Sequence, residues 1–103
     1  MSYDLLFSSE AELDLQEAIA WYEEQRTDLG FEFSLRFEEA LQFLSERPQM
    51  YTQIYQEVRS VLLNQFPYAI FYIINESNKE VRIFAVIHTS RNPEIWQLRT
   101  ELL

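Results

Sequence analysis

His88 is the only histidine of the chain, and it opens the run His88-Thr-Ser-Arg91, which ends in an arginine three residues on. A neutral imidazole accepts a proton at one nitrogen and donates from the other, and a guanidinium presents a planar fork of donors that fits a phosphate or a carboxylate. Arg59, Arg82 and Arg99 add further forks in the second half of the chain, with Trp96 between Arg91 and Arg99. Two chemistries follow from this set. In one, Arg59 or Arg82 stabilises charge developing on a phosphorane while His88, with Arg91 as a phosphate clamp, moves the proton of a ribose 2′-hydroxyl. In the other the same residues recognise an acidic surface and no bond is broken. The plain alternative to both is that the arginines pair with the chain's own carboxylates, as exposed charges commonly do.

Other chemistries are excluded by what is missing. The sequence has no cysteine, so it offers no thiol nucleophile, disulfide or thiolate metal site, and one histidine does not make the usual zinc ligand sets. The scattered carboxylates of the first half read as a solvated helix face, so neither a metal nor another cofactor is expected. Gly30 is the only glycine, which rules out a glycine-rich phosphate loop, and none of the serines lies in a nucleophile-elbow context.

Net charge is −9, but it is unevenly spread: residues 1–57 carry 13 acids against three arginines, residues 58–103 four acids against five bases. Such a balance opposes nonspecific association with nucleic-acid backbones, which gains free energy from counterions displaced by Lys and Arg. Sequence-specific DNA binding by this chain alone is therefore not expected. The first residues lack the basic segment of a secretion signal, and no apolar run approaches the ~18 residues of a spanning helix. A cytoplasmic protein with no membrane partner is expected.

The elements that must position these residues are legible in the periodicity. Tyr3 to Phe7 reads as a short strand. Ser9 followed by Glu12 has the form of a capping box, and Ala11, Leu15, Ala18 and Tyr22 then recur with helical spacing to near Arg26. Phe33, Phe37, Ala40 and Leu44 repeat the pattern before Pro48, predicting a second helix that packs antiparallel to the first. From Val58 the period becomes two: Val58–Leu63, Tyr68–Asn75 and Val81–His88 are rich in β-branched and aromatic residues, and Asn75 to Asn78 supply a hairpin turn. In a regular strand Arg82, Phe84, Val86 and His88 share one face. The whole reads as one α+β domain over residues 1–103, a helical hairpin on a mainly antiparallel sheet.

Both faces of the predicted strands are apolar, since Tyr68, Ile70, Tyr72 and Ile74 alternate with Ala69, Phe71 and Ile73. One helical hairpin covers one face. The other needs the C-terminal segment, a second copy or a partner, because large exposed apolar patches are unusual on isolated domains.

The order of Ala18, Trp21, Tyr22, Gly30, Phe33, Ala40, Leu41 and Pro48, then Val58-Arg59, Phe66-Pro67-Tyr68 and Ile70-Phe71-Tyr72, then His88-Thr-Ser-Arg91-Asn-Pro93 with Trp96 and Arg99, resembles the ParE branch of the ParE/RelE toxin superfamily across nearly the whole chain. The resemblance implies a β-α-α-β-β-β domain and a cognate antitoxin whose C-terminal part wraps the toxin. It also implies two mechanisms within one fold: ParE-like members inhibit DNA gyrase, while RelE-like members cleave mRNA on the ribosome.

On the ParE-like reading the candidate target contacts are Arg59, Arg91, Trp96 and Arg99. On the endoribonuclease reading the catalytic candidates are Arg59, Arg82, His88 and Arg91. The chain lacks the aromatic-basic tail and the basic surface that a ribosome-binding nuclease of this family carries, so the binding reading leads. A third reading is an inactive, toxin-like interaction module. All three predict an antitoxin segment, acidic or amphipathic, that covers the open sheet face and pairs with an edge strand.

Overall fold

The computed structural model describes residues 2–103. The order of elements is β1 (Asp4–Phe7), α1 (Ser9–Gln25), α2 (Leu29–Glu46), a 3-10 turn at Pro48–Met50, β2 (Gln53–Tyr55), β3 (Val58–Leu62), β4 (Tyr68–Asn75), β5 (Glu80–His88), α3 (Glu94–Arg99) and a final 3-10 turn at Thr100–Leu102. The strands form one sheet in the order β1-β5-β4-β3-β2, with β1 parallel to β5 and all other pairs antiparallel. The α+β architecture is the one the periodicity predicts, with two additions, the three-residue β2 and the C-terminal α3. Both are too short for a periodic signal.

α1 begins one residue before the expected capping box. Ser8, not Ser9, is the N-cap, and its hydroxyl accepts from the Ala11 amide at 3.0 Å. The first residue of α2 has no such cap of its own. Instead Glu23 of α1 reaches across the connection and accepts the amides of Asp28 at 2.9 Å and Gly30 at 3.0 Å. Gly30 is where the helices touch most closely, since a Cβ there would lie 2.6 Å from the Ile19 carbonyl oxygen.

The apolar stripe of the hairpin, Ala11, Ala18, Phe33, Phe37, Ala40 and Leu44, packs on one face of the sheet against Val61, Ile70, Tyr72, Val81, Ile83 and Val86. The opposite face buries Val58, Ala69, Phe71, Phe84, Ala85 and Ile87 under Trp96 of α3. The Trp96 indole stacks on Phe71, with ring centroids 4.7 Å apart and planes at 20°. Of the three expected ways to cover the second face, the C-terminal segment is the one the chain uses. The expectation of an open face there is corrected accordingly, although Leu62 at the end of β3 stays 66% exposed.

A β-bulge in β5 alters the predicted strand geometry. Phe71 pairs with Ala85 but Tyr72 pairs with Ile83, so Phe84 is an extra residue without a partner in β4. An extra residue reverses the alternation. Arg82 and Phe84 lie on the α3 face, whereas Val86 and His88 beyond the bulge lie on the helical-hairpin face with Tyr68 and Ile70. The shared face expected for Arg82, Phe84, Val86 and His88 does not exist, because a strict period of two ends at a bulge.

Candidate functional site

At the end of β4 and β5, between α1 and α3, lies a cleft of about 380 Å³. Its walls include Glu17, Trp21 and Tyr22 from α1, Tyr68 from β4, and His88 and Arg91 from the end of β5 and the turn that follows. The floor is apolar, from Ala18, Val86 and Ile95. Positions 14, 17, 18 and 21 follow one another at helical spacing along one flank of α1, which places their side chains together beside β5.

His88 is half-buried and stands edge-on to Tyr68, with ring centroids 5.3 Å apart. The Ser90 amide donates to His88 Nδ1 at 3.0 Å, and the Ser90 hydroxyl lies 2.8 Å from the same nitrogen. An amide can only donate, so Nδ1 carries the lone pair and the neutral ring holds its proton at Nε2. The nitrogen that could accept a proton is thus already occupied, and the ring presents an N–H donor.

Arg91 is exposed at the rim, and among the described residues its guanidinium joins no ion pair. Burial pushes the Tyr68 phenol above its ordinary range; the charge of Arg91 pulls it down, and Tyr22 and Asp14 push it up. Burial also raises the phenol of Tyr22.

Of the other predicted residues, Arg59, Trp96 and Arg99 are committed to the fold. Arg59 turns its guanidinium toward the chain preceding β2 and donates to the carbonyls of Gln49, at 3.2 Å, and Tyr51. Beside it the buried hydroxyl of Tyr72 donates to the Pro48 carbonyl at 2.7 Å, so two side chains of the sheet satisfy three carbonyls around one 3-10 turn. Burial pushes the Tyr72 phenol far up, against a lowering by Arg59. Arg99 forms a fork with Asp14, at 2.6 and 3.1 Å, and donates to the Phe84 carbonyl at 3.1 Å. Trp96 is buried against Phe71. Arg82 is exposed on the α3 face, away from His88. Of the predicted residues, His88, Arg91 and Arg99 line the cleft, and of these Arg99 is already held by Asp14.

Asp14 was expected to belong to a solvated acidic face. It instead accepts both Arg99 and the Val86 amide, at 3.0 Å. Its sequence position beside the apolar stripe, one residue before Leu15, is the only signal that it faces inward. Tyr22 and Tyr68 were read as core, and nothing in their spacing distinguishes a core tyrosine from one that lines a cleft. Among the described residues no three metal-ligating side chains gather at one point, and no helix is long and apolar enough to cross a membrane.

A hairpin of helices on a five-stranded sheet, closed underneath by a short C-terminal helix, defines the class of small toxin folds to which the sequence pointed. Residues 5–93 match the family described as ParE toxin of the type II toxin-antitoxin system, parDE, and the chain belongs to that family. Among solved structures it is similar to a chain of the chromosomal ParDE toxin-antitoxin system of P. aeruginosa, at 15% identity and a TM-score of 0.74, over 85% of this chain and 97% of that one. It is also similar to a double arginine-to-alanine mutant of the E. coli toxin RelE in complex with a peptide of its antitoxin RelB, at 16% identity and a TM-score of 0.64, over 96% and 95% of the two chains. RelE of Pyrococcus horikoshii, from a RelE–RelB complex, shares the fold at 15% identity and a TM-score of 0.55, over 89% and 100%. No curated protein matches the chain by sequence.

Proposed function

We propose that this toxin acts by binding, with DNA gyrase as its target, and that a cognate antitoxin neutralises it in the cytoplasm. The observation that carries the reading is that Arg59 and Arg82, the cations assigned to the developing charge, stand apart from His88. Arg59 is spent on two backbone carbonyls, Arg82 and His88 lie on opposite faces of the sheet, and Nδ1 of His88 is held by Ser90. The sheet face under α3 is filled by Ala69, Phe71, Ala85, Ile87 and Trp96, none of which transfers a proton. General acid–base catalysis needs a free base within hydrogen-bond reach of the proton it takes and a cation at the developing charge; Arg91 shares the cleft with His88, but the ring nitrogen that would take the proton is engaged by Ser90. A net charge of −9 further opposes docking on RNA.

Arg91 is the contact residue best placed to meet the target. Arg99 lines the same cleft, whereas Arg59 and Trp96 are engaged by backbone carbonyls and by Phe71 and hold the fold. For the antitoxin, the short edge strand β2 offers unpaired backbone and, in the exposed Ile54, an apolar anchor, the two elements of strand addition.

The test is induced expression in a bacterium lacking the antitoxin, following labelled thymidine and methionine incorporation, together with supercoiling by purified gyrase. An early fall in thymidine and inhibited supercoiling are expected. Methionine falling first, or supercoiling undisturbed at high protein concentration, would remove gyrase as the target.

A further inference from the structure

We infer that the cleft between α1 and the end of β5 is a carboxylate-binding site, which takes an acidic side chain set beside an aromatic or apolar one on a protein partner. This rests on the reading that the chain works by binding other proteins, and it names the chemistry of one such contact.

Four donors line the cleft with no partner among the described residues. His88 presents Nε2–H, because Ser90 fixes the lone pair at Nδ1. Arg91 presents its guanidinium, which joins no ion pair among the described residues. Of the tyrosines, Tyr3 and Tyr72 donate their hydroxyls within the fold, whereas Tyr22 and Tyr68 line the cleft and do not. The Tyr68 phenol is close enough to feel the charges of both Arg91 and Asp14. A set of unengaged donors, partly screened from water, can hold an oxyanion.

The charge around the cleft agrees. Asp14, the nearest acid, has its charge matched by the Arg99 fork and its Oδ2 further engaged by the Val86 amide. Glu17, at the outer wall, is the one acid there without an ion pair among the described residues. Arg91, in the same lining, is a cation without an ion pair among the described residues.

Beside these donors stands the Trp21 indole, 54% exposed at the rim, and below them the apolar floor of Ala18, Val86 and Ile95. A bare phosphate would use the donors and leave the indole and the floor in contact with water. A carboxylate next to a ring uses both, and burying a ring adds the largest apolar area a single residue can supply. An aspartate or glutamate followed by an aromatic residue, on a peptide segment, fits the geometry better than either a free anion or a wholly apolar segment.

The probe is a blocked aspartyl-phenylalanine dipeptide, compared with its asparaginyl counterpart and with inorganic phosphate, titrated into the full chain and followed by amide and indole NMR signals at low salt. The expected result is saturable shifts at the Trp21 indole, His88 and Ser90, at least ~10-fold weaker for the asparaginyl dipeptide, the loss of one charge-assisted contact. Arg91→Gln should bring the aspartyl dipeptide down to the asparaginyl level while the rest of the spectrum stays in place, and Trp21→Ser should weaken both. Equal affinity for the two dipeptides overturns the inference, as does phosphate alone saturating the same signals at equal or lower concentration. Neither result bears on gyrase inhibition, which is read separately by supercoiling.

Discussion

Arg99 and Asp14, 85 positions apart in the chain, form a two-point ion pair that also caps the edge of β5. Asp14 Oδ2 accepts from Arg99 at 2.6 Å and from the Val86 amide at 3.0 Å, while Arg99 donates to the Phe84 carbonyl at 3.1 Å. β1 pairs with β5 only as far as Ile83, so the bulge at Phe84 leaves backbone groups beyond it without a strand partner. The side-chain pair supplies what the missing strand would have, and in doing so fastens α3 to α1. Replacing Asp14 by Ala strands both the guanidinium and the Val86 amide. The expected loss is about 2–3 kcal/mol, below the ~3–5 kcal/mol of a fully buried pair because both side chains keep some contact with water. Urea unfolding of Asp14→Ala, Arg99→Ala and the double variant measures the pair directly, and near-additive losses would show that no coupling exists.

Tyr72 and Arg59 hold the 3-10 turn against the sheet. Tyr72→Phe removes only an oxygen, but it leaves the Pro48 carbonyl unpaired beside a buried ring, so a loss of roughly 1–3 kcal/mol is expected. Arg59→Met frees the carbonyls of Gln49 and Tyr51 and should raise hydrogen exchange locally, in residues 48–55, ahead of global unfolding. Uniform acceleration across the sheet would mean that the turn has no independent anchorage.

Gly30 is required by contact. Its backbone adopts ordinary helical geometry, yet a methyl group there would meet the Ile19 carbonyl at 2.6 Å, an atom that cannot rotate away. Gly30→Ala must therefore part the helices, and the same shift weakens the grip of Glu23 on the Asp28 and Gly30 amides. The expected cost is about 1–3 kcal/mol despite the better helix propensity of alanine, read as a lowered denaturation midpoint. A midpoint that rises would show that the hairpin relaxes freely at this point.

The two helices of the hairpin and the three long strands were legible because each is long enough to show a period. Phe33, Phe37, Ala40 and Leu44 are all buried as their spacing requires, and β4 spans the predicted Tyr68–Asn75. The bulge at Phe84 was not legible, since both faces of β5 are apolar and a slipped alternation looks the same as a regular one. That single residue separates Arg82 from His88 and dissolves the catalytic grouping that the sequence allowed. Of the candidate site, His88 and Arg91 were found through their short spacing. The commitment of Arg59 and Arg99 to backbone carbonyls and Asp14 was hidden, because the partners lie in segments whose placement depends on tertiary packing.

Glu76 gives the fold a modest dependence on acid. It accepts from the Tyr3 hydroxyl and from Gln49 Nε2, both at 2.8 Å, with Lys79 at 3.6 Å, and these partners, Gln49 first and Tyr3 next, lower its carboxyl below the ordinary range. A carboxyl whose folded value is depressed stabilises the fold above its unfolded value, and this contribution is lost as pH falls through the folded value. Glu76→Gln should therefore lower the thermal midpoint slightly at neutral pH and leave it unchanged once both forms are acidified below the carboxylate range. An equal difference at both pH values would assign the effect to the amide itself.

Trp96 decides whether the second sheet face stays closed. Its indole lies flat on Phe71 and edge-on to Tyr55, with centroids 4.7 and 5.7 Å away, and it covers Ala69, Ala85 and Ile87. Trp96→Ala removes the largest side chain that α3 places in that layer and leaves only the partly buried Ile95, so a loss of ~3–5 kcal/mol is expected, typical of a buried aromatic truncated to a methyl group. The Asp14–Arg99 pair still tethers α3, but without the indole the helix has little apolar surface with which to stay docked. The variant should therefore bind a hydrophobic dye or self-associate under conditions in which the parent protein does neither, because the uncovered face is a contiguous apolar patch. Trp96→Phe, which keeps a ring over Phe71, should restore most of the stability and suppress the dye binding. If the Ala variant stays monomeric and dye-free while losing stability, the C-terminal residues close over the gap, and α3 is held by its ion pair more than by its ring.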